Sequence, residues 1–351
     1  MAPEDALRLG VLMAGGVQAI RMDESAMVVH GLSPRGEAAI RLHPTGRNDQ
    51  YLREVREFLA GFAAGSPGGY PVHLRRWPRM GQAREDGLEK LLLFGEPEAV
   101  VSVACSAGLT DELARRVWWI MPDAANARRM LEKKCVVEGS MGKVLADYLV
   151  EFLPFENEPS VIIDTVKLLL GSGLADGGSR KKLWRKGIHD NAYYVGFLAI
   201  VPDDLPDQDA PRADYQEIKE SLSGEFAVHL LRTLSGSGQT FLRVMGEVLE
   251  HPADREVVIA ALDALAAYFA PAQGADFSSL PDARRLEAAA MQDLASMGSS
   301  IVFPILARTT AGGTLLRTKL DPVLSEVFGR IAILRGVPYS PARRRIRGSR
   351  S

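Results

Sequence analysis

Two cysteines in 351 residues are too few for a disulfide framework. Cys105 and Cys135 are not at CxxC spacing, and no nearby histidine completes a zinc set. They read as small buried residues on helices of neighbouring hairpins. A strong charge of one sign is also missing. Lys and Arg total 42 against 44 Asp and Glu, a formal charge of −2, which excludes a uniformly basic nucleic-acid binder. Apolar runs stop short of the ~18 residues that a membrane span needs; residues 256–270 and 297–307 come nearest. The acidic opening Met1-Ala-Pro-Glu-Asp5 and the short apolar run at 9–13 fit neither a secretory signal nor a transit peptide. A cytoplasmic chain, with no contact to a membrane, is the expectation.

Catalytic signatures are equally scarce. Gly236-Ser-Gly-Gln-Thr240 opens a helix but has no P-loop lysine, so it reads as a turn followed by a helix cap. No GxSxG elbow and no Cys/His or Ser/His/Asp constellation stands out. The six histidines include no i, i+3 or i, i+4 pair. His30, His43 and His73 fall on predicted strands, where a structural role outweighs a metal site. The chain therefore reads as non-enzymatic, with no cofactor and no metal.

What is present is patterning. Residues 3–13 suit a short helix. Runs at 18–22, 26–31 and 37–43 read as strands of a meander, with Ser33-Pro34-Arg35-Gly36 as a type I turn. At 48–64, Tyr51, Leu52, Val55, Phe58, Leu59 and Phe62 recur at helical spacing. A fourth strand is predicted at 70–75. After about residue 84 the strand signals stop, and amphipathic segments of 11–16 residues follow, broken by Pro or Gly. Helix starts at Pro97, Asp123 and Pro159 are each followed by a glycine break and a second helix, at 111–120, 142–152 and 176–186. Irregular spacing fits degenerate hairpins better than a strict repeat, and one hairpin alone cannot bury its apolar face.

The fold class expected is α+β: a small N-terminal α/β meander module followed by a mostly α-helical, HEAT-like degenerate hairpin array. The expected domains are 1–83 (mixed α/β), 84–207 (hairpin repeats), 208–337 (C-terminal helical domain) and 338–351 (a disordered basic tail). A linker is placed at 201–213, VPDDLPDQDAPRA, which is rich in Pro and Asp and has no period. Beyond it helices are predicted at 214–222, 224–234, 239–250, 253–270, 280–309 and 321–336. The stretch at 280–309 reads as one helix or as two meeting at Pro304.

Three basic clusters carry the binding signal. Arg75, Arg76, Trp77 and Arg79 follow the fourth predicted strand. Arg180, Lys181, Lys182, Arg185 and Lys186 surround Trp184 on one helix. Arg343, Arg344 and Arg345 lie in the tail, where residues 338–351 carry five basic and no acidic side chains. Cations interleaved with aromatics can hold phosphates and stack bases. For the helical cluster a solvated face with Trp184 turned to the core is the favoured reading.

Several segments are long and peculiar: Gln18-Ala-Ile-Arg-Met22, Met27-Val-Val-His-Gly-Leu32, Gln50-Tyr-Leu-Arg-Glu-Val-Arg-Glu-Phe58, Gly65-Ser-Pro-Gly-Gly-Tyr-Pro71, Leu74-Arg-Arg-Trp77, Arg79-Met-Gly-Gln-Ala-Arg84, Gly108-Leu-Thr-Asp-Glu-Leu-Ala-Arg-Arg116, Tyr194-Val-Gly-Phe-Leu198 and Val201-Pro-Asp-Asp-Leu-Pro206. On these, residues 11–205 resemble the DsrS family, soluble proteins encoded with the dissimilatory sulfite reductase system of sulfur-oxidising bacteria. The resemblance implies a cytoplasmic accessory factor of sulfur oxidation, acting on expression of that pathway. It assigns no residue roles. The functions expected are a regulatory helical scaffold that binds a protein of the sulfur-oxidation machinery, an RNA-binding post-transcriptional regulator, or a cysteine-dependent sulfur-relay protein.

Overall fold

The computed structural model describes residues 1–64, 87–274, 281 and 284–338. Helix makes up 66%, in 18 helices among the described residues, with one small three-stranded antiparallel sheet at the N-terminus. The fold class is thus α+β with a helical C-terminal region. The chain divides into two compact units, 1–152 and 153–351.

The first unit opens with α1 (Pro3–Ala14), then β1 (Ala19–Asp23), β2 (Val28–Ser33) and β3 (Gly36–Arg41), paired in the order β1-β2-β3. Its meander turns are bonded locally. The Asp23 carboxylate accepts from Ser25 Oγ at 2.7 Å and from the Ala26 amide at 2.9 Å. Pro34 and Arg35 span the two-residue turn between the paired Ser33 and Gly36, and Gly36 takes φ +121°. Then comes α2 (Asn48–Ala64), where the sequence periodicity placed it. Leu52, Val55 and Leu59 from its stripe join Leu9, Ile20 and Val29 in one core. Phe62, at the stripe's edge, is exposed. The predicted strand at 70–75 lies outside the described residues.

Helices α3 (Leu88–Leu91), α4 (Pro97–Cys105), α5 (Asp111–Ile120), α6 (Ala124–Leu131), α7 (Lys134–Val137) and α8 (Ser140–Phe152) complete this unit. The pairs α4 with α5 and α6 with α8 pack together. Capping fixes their starts. Thr110 Oγ1 accepts from Leu113 N at 3.2 Å, and Asp123 from Asn126 N at 2.7 Å. Asp111 reaches across to α8, accepting from the Ser140 and Met141 amides at 2.9 and 3.0 Å.

The second unit holds α9 (Pro159–Gly171), α10 (Gly177–Lys186), α11 (Ala192–Ile200), α12 (Tyr215–Ser221), α13 (Glu225–Leu234), α14 (Gly236–Glu250), α15 (Arg255–Phe269), α16 (Arg285–Ser296), α17 (Phe303–Leu306) and α18 (Gly313–Arg335). Apolar helix α11 sits at the centre, packed by α9, α10, α14 and α15. Tyr193 from it donates to the Leu153 carbonyl at 3.0 Å, and burial pushes its phenol up to about 12.

Two predicted helices differ. The stretch at 280–309 breaks after Ser296, at Met297 and Gly298, not at Pro304. Asp263 of α15 captures the Ser299 amide at 2.8 Å, and Pro304 occupies the first turn of α17, where its missing N–H costs no bond. The last helix starts at Gly313 rather than 321 and runs through Pro322. Burial of Leu316 and Leu320 on its core face outweighs one lost backbone hydrogen bond.

Candidate functional site

The lysine-rich helix α10 begins at Asp176, whose carboxylate accepts from the Ser179 amide at 2.7 Å. Leu183 and Trp184 are 1% and 4% exposed and fix the helix's rotation. The Trp184 ring lies 4.5 Å from Tyr194 and 5.1 Å, edge-on, from Phe197. Its indole N–H donates to Asp207 Oδ2 at 2.8 Å. The ring is therefore a core anchor, the role favoured from sequence.

With that ring pinned, the cations separate. Arg180 is half-buried and held by Asp204, Nη1 to Oδ2 at 2.8 Å and Nη2 to the carbonyl at 2.6 Å. Lys181, Lys182, Arg185 and Lys186 are all exposed. They form two i, i+4 rows, 181/185 and 182/186, on one solvated face. Arg185 and Lys186, in the last turn, also favour the helix through its negative C-terminal end. The helix stops at Gly187, where a Cβ would lie 2.3 Å from the Tyr194 ring, so any side chain there would displace the ring that backs Trp184. Ile188 follows, 70% exposed.

The aperiodic segment 201–213 is coil, but it is laced down rather than loose. Asp203 holds Arg232 at 2.7 Å, Asp204 holds Arg180, Asp207 holds Trp184, and Asp209 holds Arg243 at 2.9 Å. The Asp209 amide donates to Thr240 Oγ1 at 2.7 Å. This strap joins α10, α13 and α14. It ends in a polar hub. Arg212 pairs with Asp214 at 2.6 Å and Glu287 at 2.9 Å, and donates to the Ile333 and Leu334 carbonyls at 3.2 and 3.3 Å. The guanidinium beside Asp214 holds its carboxyl down at about 2.

Arg75, Arg76, Trp77 and Arg79, and Arg343, Arg344 and Arg345, lie outside the described residues. Among the described residues, the structure shows the α10 cluster.

The cysteine expectation is overturned: Cys105 and Cys135 are both free and exposed. Cys105 ends α4, and the buried Val103 and Ala104 leave the next residue rotated about 100° toward solvent. Cys135 Sγ donates to the Leu109 carbonyl at 3.1 Å. Trp118 and Trp119 are both half-buried. Small Ala114 and Val117 take the buried stripe of α5 and leave both rings on its flanks. Trp119 donates to Glu37 at 2.7 Å, and Trp118 meets Tyr148 edge-on at 4.7 Å.

Gly236–Thr240 is the first turn of α14, capped by Ser235, and a Cβ at Gly238 would come within 2.3 Å of the Arg232 and Thr233 carbonyls. Glycine is there for close backbone approach. His30 lies on β2, and His43 is bonded to Asp5, while His73 lies outside the described residues. No metal-competent group of three or more His, Cys, Asp or Glu occurs among the described residues. No described helix is long and apolar enough to cross a membrane. Comparison with protein-family profiles, curated proteins and solved structures gives no match.

Proposed function

We propose that this chain is a non-enzymatic binding scaffold, a cytoplasmic accessory or regulatory protein of bacterial sulfur oxidation that docks a partner protein on helix α10. One observation carries the docking: Lys181, Lys182, Arg185 and Lys186 are held toward solvent by the burial of Leu183 and Trp184. A helix whose rotation is set by buried Leu183 and Trp184 loses little backbone entropy on binding. An open groove of about 360 Å³ between α9, α11 and α15, lined by Ile163, Asp164, Ile259 and Asp263, adds concave surface of the kind helical arrays use. The sulfur-oxidation assignment rests on the DsrS-like segments.

The test is affinity capture from sulfur-oxidising cells with the wild-type chain and with a variant carrying Glu at 181, 182, 185 and 186. Loss of specific sulfur-oxidation proteins from the variant supports the reading. Identical capture by both removes it.

Two other readings have observations behind them. The same four cations suit RNA phosphates; mobility shifts at two salt concentrations distinguish this, since phosphate binding weakens steeply with salt. The exposure of Cys105 and Cys135 suits sulfur relay. Paired Cys→Ser variants that keep full function in cells would dispose of it.

A further inference from the structure

We infer that the outer face of α10 takes an extended, aspartate-rich segment of a partner protein. The inference rests on the scaffold reading above and names the chemistry of its partner.

The chain supplies its own example. The strap 201–213 is an irregular, Pro-broken, Asp-rich segment, with a turn at its start, already seated on α10. It engages Arg180 through Asp204 at 2.8 Å and the Trp184 indole through Asp207 at 2.8 Å. It covers one side of the helix. Lys181, Lys182, Arg185 and Lys186 on the other side carry the same chemistry facing solvent.

Spacing supports the match. Cations at i, i+4 on a helix stand about 6 Å apart. Alternate residues of an extended chain stand about 6.6 Å apart on one face. An Asp-x-Asp pattern, such as Asp207-Gln208-Asp209 in the strap, therefore places carboxylates in register with the 181/185 or the 182/186 row. The exposed Ile188 just past the helix end gives an apolar residue of the partner a place to rest.

Nucleic acid fits less well. Base stacking needs an accessible ring, and α10's one aromatic, Trp184, is buried. Asp204 and Asp207 border the helix and oppose a second polyanion of high charge density, while an isolated Asp-x-Asp segment meets less repulsion.

The test uses the full chain and a fluorescent synthetic peptide with the sequence of residues 201–213, read by anisotropy in about 20 mM salt, where screening is weak. Three comparisons accompany it: the same peptide with Asp replaced by Asn, a chain with Lys181→Ala, Lys182→Ala, Arg185→Ala and Lys186→Ala combined, and Arg180→Ala. Circular dichroism establishes that both variants fold. Expected are saturable binding, a weakening of about tenfold or more in the combined variant and with the Asn peptide, and a change below about twofold in Arg180→Ala.

Absence of saturable binding, or equal binding by the combined variant, overturns the inference. So does a loss confined to Arg180→Ala, which would mean the peptide had displaced the strap. An oligouridine of similar length that binds more tightly than the peptide through the same four residues overturns the acidic-segment inference and leaves the face itself standing. If peptide, oligouridine and cellular capture are all indifferent to the four cations, the scaffold reading falls with it.

Discussion

The two units bury charge by opposite means. In the first, Asp5 is fully buried and is satisfied by single N–H and O–H donors: the Tyr51 hydroxyl at 2.6 Å, the His43 amide at 2.7 Å and His43 Nδ1 at 3.1 Å. Burial pushes that carboxyl up, but the His43 amide, the Tyr51 hydroxyl and the His43 ring outweigh it and hold it below its ordinary value. In the second unit the buried charges, Arg317 and Glu287, sit in clusters built on bridging guanidinium groups. Arg212 bridges two carboxylates and two helix-end carbonyls, and Arg317 bridges Glu250 and Asp321 over the Phe328 ring. A single anion among light donors loses one bond at a time. A bridging cation that is removed strands several acceptors at once.

The sharpest way to break the comparison is Arg212→Ala. It leaves the buried Glu287 with Arg284 as its remaining partner and strips two donors from the last carbonyls of α18, so a loss of about 2–4 kcal/mol in urea unfolding of the full chain is expected. Arg212→Lys should recover little, because a point charge cannot bridge four acceptors. A loss under about 1 kcal/mol would mean the hub is incidental. Next comes Tyr51→Phe in the first unit, expected to cost about 1–3 kcal/mol, since Asp5 loses a donor and the Ala2 amide loses the acceptor it holds at 3.0 Å.

Acid should erode both units in the same direction. Asp214 titrates at about 2 when folded against 3.8 otherwise, so its contribution is full above roughly pH 5 and fades as pH falls through that interval. Asp5, also depressed, behaves alike. Urea midpoints at pH 7 and pH 3 should differ, and Asp214→Asn should shrink the difference by about 1–2 kcal/mol. A slope unchanged by that substitution would refute the assignment. At the small end, alanine at 181, 182, 185 and 186 should shift stability by less than about 1 kcal/mol, because those side chains are solvated. Finally, Cys105 and Cys135 should both react promptly with a thiol reagent in the native protein; protection of either would show it buried.

Local order was legible where one signal dominated. Helix α2 has its six-residue stripe, and both it and α5 match the predicted bounds. The break near residue 298 was not legible, because it depends on Asp263 from another helix. The strap shows the same limit. Proline and aspartate without period announce coil, yet Arg232 and Arg243 look in sequence like solvent-facing residues of their own helices. Only tertiary structure pairs them with Asp203 and Asp209. Of the candidate site, the split of the α10 cluster into a buried Trp184 and a solvated cationic face was readable from the pattern. The withdrawal of Arg180 into the strap was not, since its partner lies 24 residues away.

The strap's bonds to Arg180, Trp184, Arg232 and Arg243 span 24, 23, 29 and 34 residues, short loops with modest closure entropy. Two of the four partners precede the strap in the chain and two follow it. During synthesis, α10 is therefore the attached helix already made when the segment emerges. The second half of its attachment waits until α13 and α14 have left the ribosome. Its two edges therefore differ in kind: one rests on a helix that precedes it in the chain, the other on helices that follow it.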